Sequence, residues 1–245
     1  YNIGGYIRLR GKLDVSKFVA ALDYAISTLD IFRLRFDLSD EVGHARVIDS
    51  APKLVLTEAD YSGILNAQKV AKGWMQERFN EPSEVDMQHN LYEHALLKIS
   101  EEEFWFFGKY HHLITDGVGF IVFVQFVAEQ YRKLLGEAVA DNSPGSYIDE
   151  IKKLEGFVES DAFEIDRKYW VEKIKEQPAR ILSLRASDQR INQTQSSTFL
   201  LELDNTTRVE LERIGKASGT GLLQLTTAAL LIYLWHTTDR NEFLI

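Results

Sequence analysis

Tyr110-His111-His112-Leu113-Ile114-Thr115-Asp116-Gly117-Val118-Gly119 is the stretch on which the reading of this chain turns. Phe104-Trp105-Phe106-Phe107 precedes it, an apolar run that reads as a buried strand. Val118–Leu135 follows it as a helix whose polar positions Gln125, Glu129 and Arg132 fall in a single stripe, so that a helix packed on most sides is expected. Two adjacent histidines, an acid and two glycines are thus crowded between two core elements. Burying such groups is costly unless they are paired or used, which makes this junction the candidate active site.

Three chemistries compete for the histidines. Metal binding needs ligands that converge on one point, whereas neighbours on a strand face opposite ways. No HExxH pattern is present, and His44, His89, His94 and His236 are scattered, so no metal is expected. A purely structural reading makes both histidines satisfied core groups. Acid–base catalysis is the third. Imidazole titrates near 6.5 and can take a proton and return it. One histidine then faces the substrate while its neighbour braces the loop, and Gly117 and Gly119 keep side chains out of the substrate's way. Asp116 accepts from a histidine or pairs with an arginine.

Outward from the motif, Leu91–Ile99 and Phe104–His111 flank the acidic turn Ser100-Glu101-Glu102-Glu103 as a hairpin. Toward the start, Asn2–Leu9 alternates as a half-buried strand, Gly11 marks a turn and Asp14 is an N-cap. The helix after Asp14 sets Phe18, Leu22, Ile26 and Leu29 on one face. Phe32–Asp37 and Ala45–Ile48 read as paired strands, with Arg33 and Arg35 pointing the same way. Lys53–Thr57 is a short strand, and Ile64–Phe79 is a helix with Val70, Trp74 and Phe79 inward. Beyond the motif helix, Glu137–Gly145 is the clearest linker, Phe163–Ile174 is amphipathic, and Glu176–Gln195 is polar and irregular. Phe199–Leu203 is a strand, Thr207 and Glu210 form a capping box closed by Gly219, and Leu222–Trp235 is a buried helix. Phe243-Leu244-Ile245 reads as a strand cut short, so a fragment of a longer protein is expected.

The composition agrees. At 245 residues, 45% hydrophobic and 27% charged, the chain can bury a substantial core. A net charge of −9 argues against nucleic acid. The absence of cysteine excludes disulfides, thiolate nucleophiles and Cys-based zinc sites, and suits a reducing, cytoplasmic setting. The most apolar stretch, Leu222–Trp235, is shorter than the roughly 18 residues of a spanning helix, so no membrane is expected.

His111-His112-Leu113-Ile114-Thr115-Asp116-Gly117 resembles the HHxxxDG motif of nonribosomal peptide synthetase condensation domains. The opening Tyr1-Asn2-Ile3 with Gly11-Lys12-Leu13-Asp14, the segment Phe32-Arg33-Leu34-Arg35-Phe36 and the segment Asp166-Arg167-Lys168-Tyr169-Trp170 are similar to family segments in the same order. Thr28-Leu29-Asp30 stands where the family usually has Arg-His-Glu, and Val118-Gly119 where it often has an aromatic residue and serine. The resemblance implies an α/β sandwich: a chloramphenicol-acetyltransferase-like lobe with a mixed, mostly antiparallel sheet flanked by helices over 1–177, and the incomplete second lobe over 178–245. It implies amide-bond formation between thioesters carried on phosphopantetheine arms, with no cofactor bound directly. The partners would be donor and acceptor carrier proteins and an adjacent adenylation domain. His112 would be catalytic and His111 supporting. Asp116 would pair with Arg33, and Gly117 would line the acceptor channel. A related acyltransferase using coenzyme A, an epimerisation domain and a carrier-docking module without chemistry are the rival readings.

Overall fold

The alternation read at Asn2–Leu9 becomes strand β1 (Asn2–Arg10) in a computed structural model, which describes residues 1–140, 144–175, 202–238 and 240–243. The apolar runs before the motif become β5 (Tyr92–Ser100) and β6 (Glu103–His111). With β4 (Leu56–Asp60) they form a four-stranded sheet in the order β1-β6-β5-β4. β1 and β5 run antiparallel to β6, and β4 runs parallel to β5. β2 (Leu34–Asp37) and β3 (His44–Val47) pair separately, after a 3₁₀ turn over Asp30–Arg33. The sheet is mixed and mostly antiparallel, as the resemblance implied.

Strand alternation gives β6 two different faces. Phe104, Phe106 and Tyr110 face helices α1 (Val15–Thr28) and α3 (Gly117–Leu134), which pack on each other. Phe18, Leu22, Ile26, Phe123 and Phe126 complete that core. Burying each such side chain favours folding by about 1.5–3 kcal/mol. Trp105 and Phe107 face the other way, onto Ala71 and Met75 of α2 (Ala67–Asn80). Like its neighbour β5, the strand that leads into the motif is packed on both faces.

The C-terminus of α2 is tied to that strand. Helix ends leave carbonyls without partners. Here the buried Lys109 places Nζ 3.0 Å from the Arg78 carbonyl, 3.3 Å from the Glu81 carbonyl and 3.3 Å from Glu93 Oε2. Asn2 Nδ2 donates to the Phe79 and Glu81 carbonyls at 2.7 and 2.9 Å. Arg78 closes the cluster on Glu93 at 2.8 and 3.0 Å.

Several expectations shift. The strand expected at Lys53–Thr57 lies at Leu56–Asp60. In α2 the buried positions are Ala71 and Met75, while Val70 is exposed. α3 is less covered than its composition suggested, with Val118 69% and Ile121 56% exposed. A helix absent from the sequence reading, α4 (Tyr147–Val158), follows the linker region. Its start is held by the buried Asp30: the Ser146 hydroxyl donates to Oδ2 at 2.7 Å and the Tyr147 N–H to Oδ1 at 3.2 Å.

Contacts divide the chain into two units, Tyr1–Glu159 and Ser160–Ile245. The lobe division at 177/178 falls within residues 176–201, outside the described residues; outside them too lie all of Glu176–Gln195, most of Phe199–Leu203 and the end of the strand expected at Phe243-Leu244-Ile245. The second unit holds α5 (Asp161–Lys173), α6 (Asn205–Ser218) and α7 (Leu222–Thr238). The cap of α6 is Asp204, which accepts from the Thr207 N–H at 2.8 Å; Thr207 is helical, so the capping box begins three residues earlier than read. Gly219 ends that helix with φ 66°. α7 is not buried as expected: Leu223 is 75% exposed and none of its residues is buried. Among the described residues no single helix is long and apolar enough to cross a membrane.

Candidate active site

The motif is a turn slung between the end of β6 and the start of α3. The β1–β6 ladder runs from Arg10↔Glu103 to Asn2↔His111 and puts the motif at its last rung. The His111 N–H donates to the Leu91 carbonyl at 2.8 Å, and the His112 N–H to the Tyr1 carbonyl at 2.9 Å. Ile114 is buried in the α1–α3 core and pins the middle of the turn.

The two histidines differ. His111 is half-buried, and its Nδ1 accepts from the Leu113 N–H at 3.2 Å. Burial, reinforced by the neighbouring His112, pushes its pKa below the usual imidazole value. A neutral ring that accepts at Nδ1 carries its proton on Nε2. His112 is exposed, and among the described residues no side chain bonds its ring. One ring braces the turn and its neighbour opens outward.

Asp116 is the N-cap of α3. Its Oδ1 accepts from the Gly119 N–H at 2.7 Å, with φ −124° and ψ −172°. A carboxylate there satisfies a free helical N–H and meets the positive end of the helix dipole. The pair expected between Asp116 and Arg33 is not formed. Asp116 is exposed and turned onto its own helix, while Arg33 ends the 3₁₀ turn with a buried Nε that has no hydrogen-bond partner. Arg35 is the buried arginine, donating to the Phe32 and Leu34 carbonyls and to Asn90 Oδ1. The two arginines also leave the common strand face expected of them, because Arg33 precedes β2.

The glycines divide in the same manner. A Cβ on Gly117 would meet nothing within 4 Å. A Cβ on Gly119 would strike the Thr115 hydroxyl and lie 3.3 Å from Asp116 Oδ1, so Gly119 keeps the cap clear rather than a substrate path. The backbone anchors at Tyr1 and Leu91 were invisible in sequence, because register between distant strands leaves no local signal. The one ligating cluster among the described residues, Glu84, Asp86 and His89, lies outside the motif on an exposed loop.

The chain matches a family model described as "Condensation domain" over residues 1–245. It is 27% identical over 180 residues to the dimodular nonribosomal peptide synthase of Bacillus subtilis (strain 168), covering 73% of this chain and 7% of that protein. It is 29% identical over 181 residues to the isonitrile lipopeptide synthase of Streptomyces coeruleorubidus, covering 73% and 12%. The chain therefore spans a small part of these relatives' length. Among solved structures it resembles a variant of the starter condensation domain of rhizomide synthetase in complex with C8-CoA, at 28% identity and TM-score 0.66, covering 72% of this chain and 40% of that one. The first condensation domain of the calcium-dependent antibiotic synthetase, at 23% identity and TM-score 0.76 over 99% of this chain and 57% of that one, shares the fold.

Proposed function

The chain belongs to the condensation-domain family, and from that premise we propose that it supplies the motif-bearing part of a site that forms an amide between two carrier-borne substrates. An acceptor amine attacks the carbonyl carbon of a donor thioester. The C–N bond forms, the C–S bond breaks, and the amine proton passes to the departing thiolate. Donor and acceptor arrive on phosphopantetheine arms of carrier proteins, beside an adenylation domain.

The observation that carries this reading is the exposed His112 ring at the end of β6, beside a neighbour that is committed to the turn. His112 takes the amine proton or aligns the amine and steadies the charged tetrahedral intermediate. His111 holds the backbone, Asp116 fixes the start of α3, and Gly117 leaves room on the acceptor side.

The test is His112→Ala in the synthetase that contains this chain, assayed with carrier-loaded donor and acceptor. Amide product is expected to fall roughly a hundredfold or more, with the melting temperature unchanged. An undiminished yield would make the chain a carrier-docking module. Turnover confined to free coenzyme A thioesters would make it a different acyltransferase.

A further inference from the structure

Behind the motif sits a buried imidazole that the proposed chemistry does not use. His94, on β5, is fully buried. Its ring stacks between Phe106 of β6 and Phe123 of α3, with centroids 5.6 Å away on each side and interplanar angles of 30° and 17°. Phe32 and Tyr110 meet it edge-on, at 6.1 and 5.4 Å. His94 Nε2 lies 2.8 Å from the Tyr110 hydroxyl. Gly108 leaves the room that hydroxyl occupies: a Cβ there would lie 2.6 Å from it. Tyr110 immediately precedes His111-His112. Its ring also meets Phe120 and Phe123, at 5.6 and 6.1 Å. The cluster around His94 therefore joins the two elements between which the motif is slung.

An imidazole is an expensive way to fill that space. His94 Nδ1 is buried with no hydrogen-bond partner, as is the neighbouring Tyr92 hydroxyl. Replacing both members of a buried polar pair by apolar groups of similar shape is close to neutral, whereas an unmet donor is costly. What the imidazole supplies is direction, since its bond fixes the rotation of the Tyr110 ring.

We propose that His94 is a positioning residue for the motif, whose bond to the Tyr110 hydroxyl sets how β6 presents His111 and His112 to the turn before α3. Its effect on turnover rests on the acyl-transfer reading; its effect on the histidine rings does not. The Tyr110 O–H donates to Nε2 and the proton of His94 resides on Nδ1. The reverse arrangement would leave both a hydroxyl hydrogen and a ring lone pair unmet. Burial keeps the ring neutral, its pKa lowered to about 3.

The experiment compares His94→Phe, His94→Gln and Tyr110→Phe in the synthetase that contains this chain. His94→Phe and Tyr110→Phe are each expected to lower kcat roughly ten- to a hundredfold, as small misplacements of reacting groups do, with KM within about twofold. Combining the two changes is expected to add little further, and Gln, whose amide can accept from the hydroxyl, is expected to restore most of the loss. Nitrogen NMR of the histidine rings is expected to show His94 as the Nδ1–H tautomer and to show His111 and His112 shifted in both hydroxyl-breaking variants. A folded Tyr110→Phe protein with wild-type kcat and unmoved His111 and His112 signals would overturn the proposal, even if His94→Phe fails to fold. Full turnover in His112→Ala would instead overturn the acyl-transfer reading and leave the NMR arm to decide on His94.

Discussion

Asp116 is where sequence reading and structure part most instructively at the scale of one residue. Its place just before the first turn of α3 was legible, since an acid there meets the helix dipole. Its partner was not, because nothing local distinguishes a cap from a long-range ion pair. The difference has a magnitude. A buried pair would lose about 3–5 kcal/mol on removal of one member, but an N-cap loses about 1 kcal/mol. Asp116→Ala is therefore expected to destabilise by about 1 kcal/mol in urea unfolding, with Asp116→Asn close to wild type. A loss above about 3 kcal/mol would restore a buried partner. The same distinction separates the histidines: their adjacency was plain, but their different exposure depends on where β6 ends.

Among elements, the hairpin β5–β6, the strand β1 and the helices α1 and α3 stood out because their apolar periods are long and their caps explicit. β4 and α4 did not. β4 has a short pattern, and its partner β5 sets where pairing begins. α4 takes its start from Asp30, far away in sequence, as well as from Ser146. The join of α2 to β6 is equally non-local, with Lys109 closing the carbonyl end of α2 beside Glu93. Lys109→Met is expected to cost roughly 3 kcal/mol, because Glu93 loses one of its two cations and the carbonyls lose their donor. Asn2→Ala removes only neutral bonds and is expected to cost about 1–2 kcal/mol. Equal losses in chemical denaturation would show that the charge at Lys109 contributes nothing special.

Across the whole molecule, the buried His94 gives stability a sign with respect to pH. In the unfolded chain the ring protonates near 6.5, and in the folded state only at about 3. Between these values the unfolded state binds the extra proton, so stability is complete above about 6.5 and drains away as pH falls. Carboxylates such as Asp86, held down to about 2 by its hydrogen bonds to His89 and Gln88, add to the loss at lower pH still. Urea midpoints at pH 7 and pH 4 are expected to differ less in a folded His94→Phe protein than in the wild type. An identical difference would mean that the ring is hydrated and charged in acid. This dependence could not be read from the sequence, where His94 was one of several scattered histidines and only the packed core isolates it.

Because the His112 amide hangs on the Tyr1 carbonyl, the backbone leading into β1 and the motif turn behave as the two ends of one taut line. Gly4 is the link that lets this line lie flat, with φ 139° and a backbone so near the Gly108 carbonyl that any side chain would jam against it. A displacement of the backbone at Tyr1 is thus passed to the motif turn through that hydrogen bond.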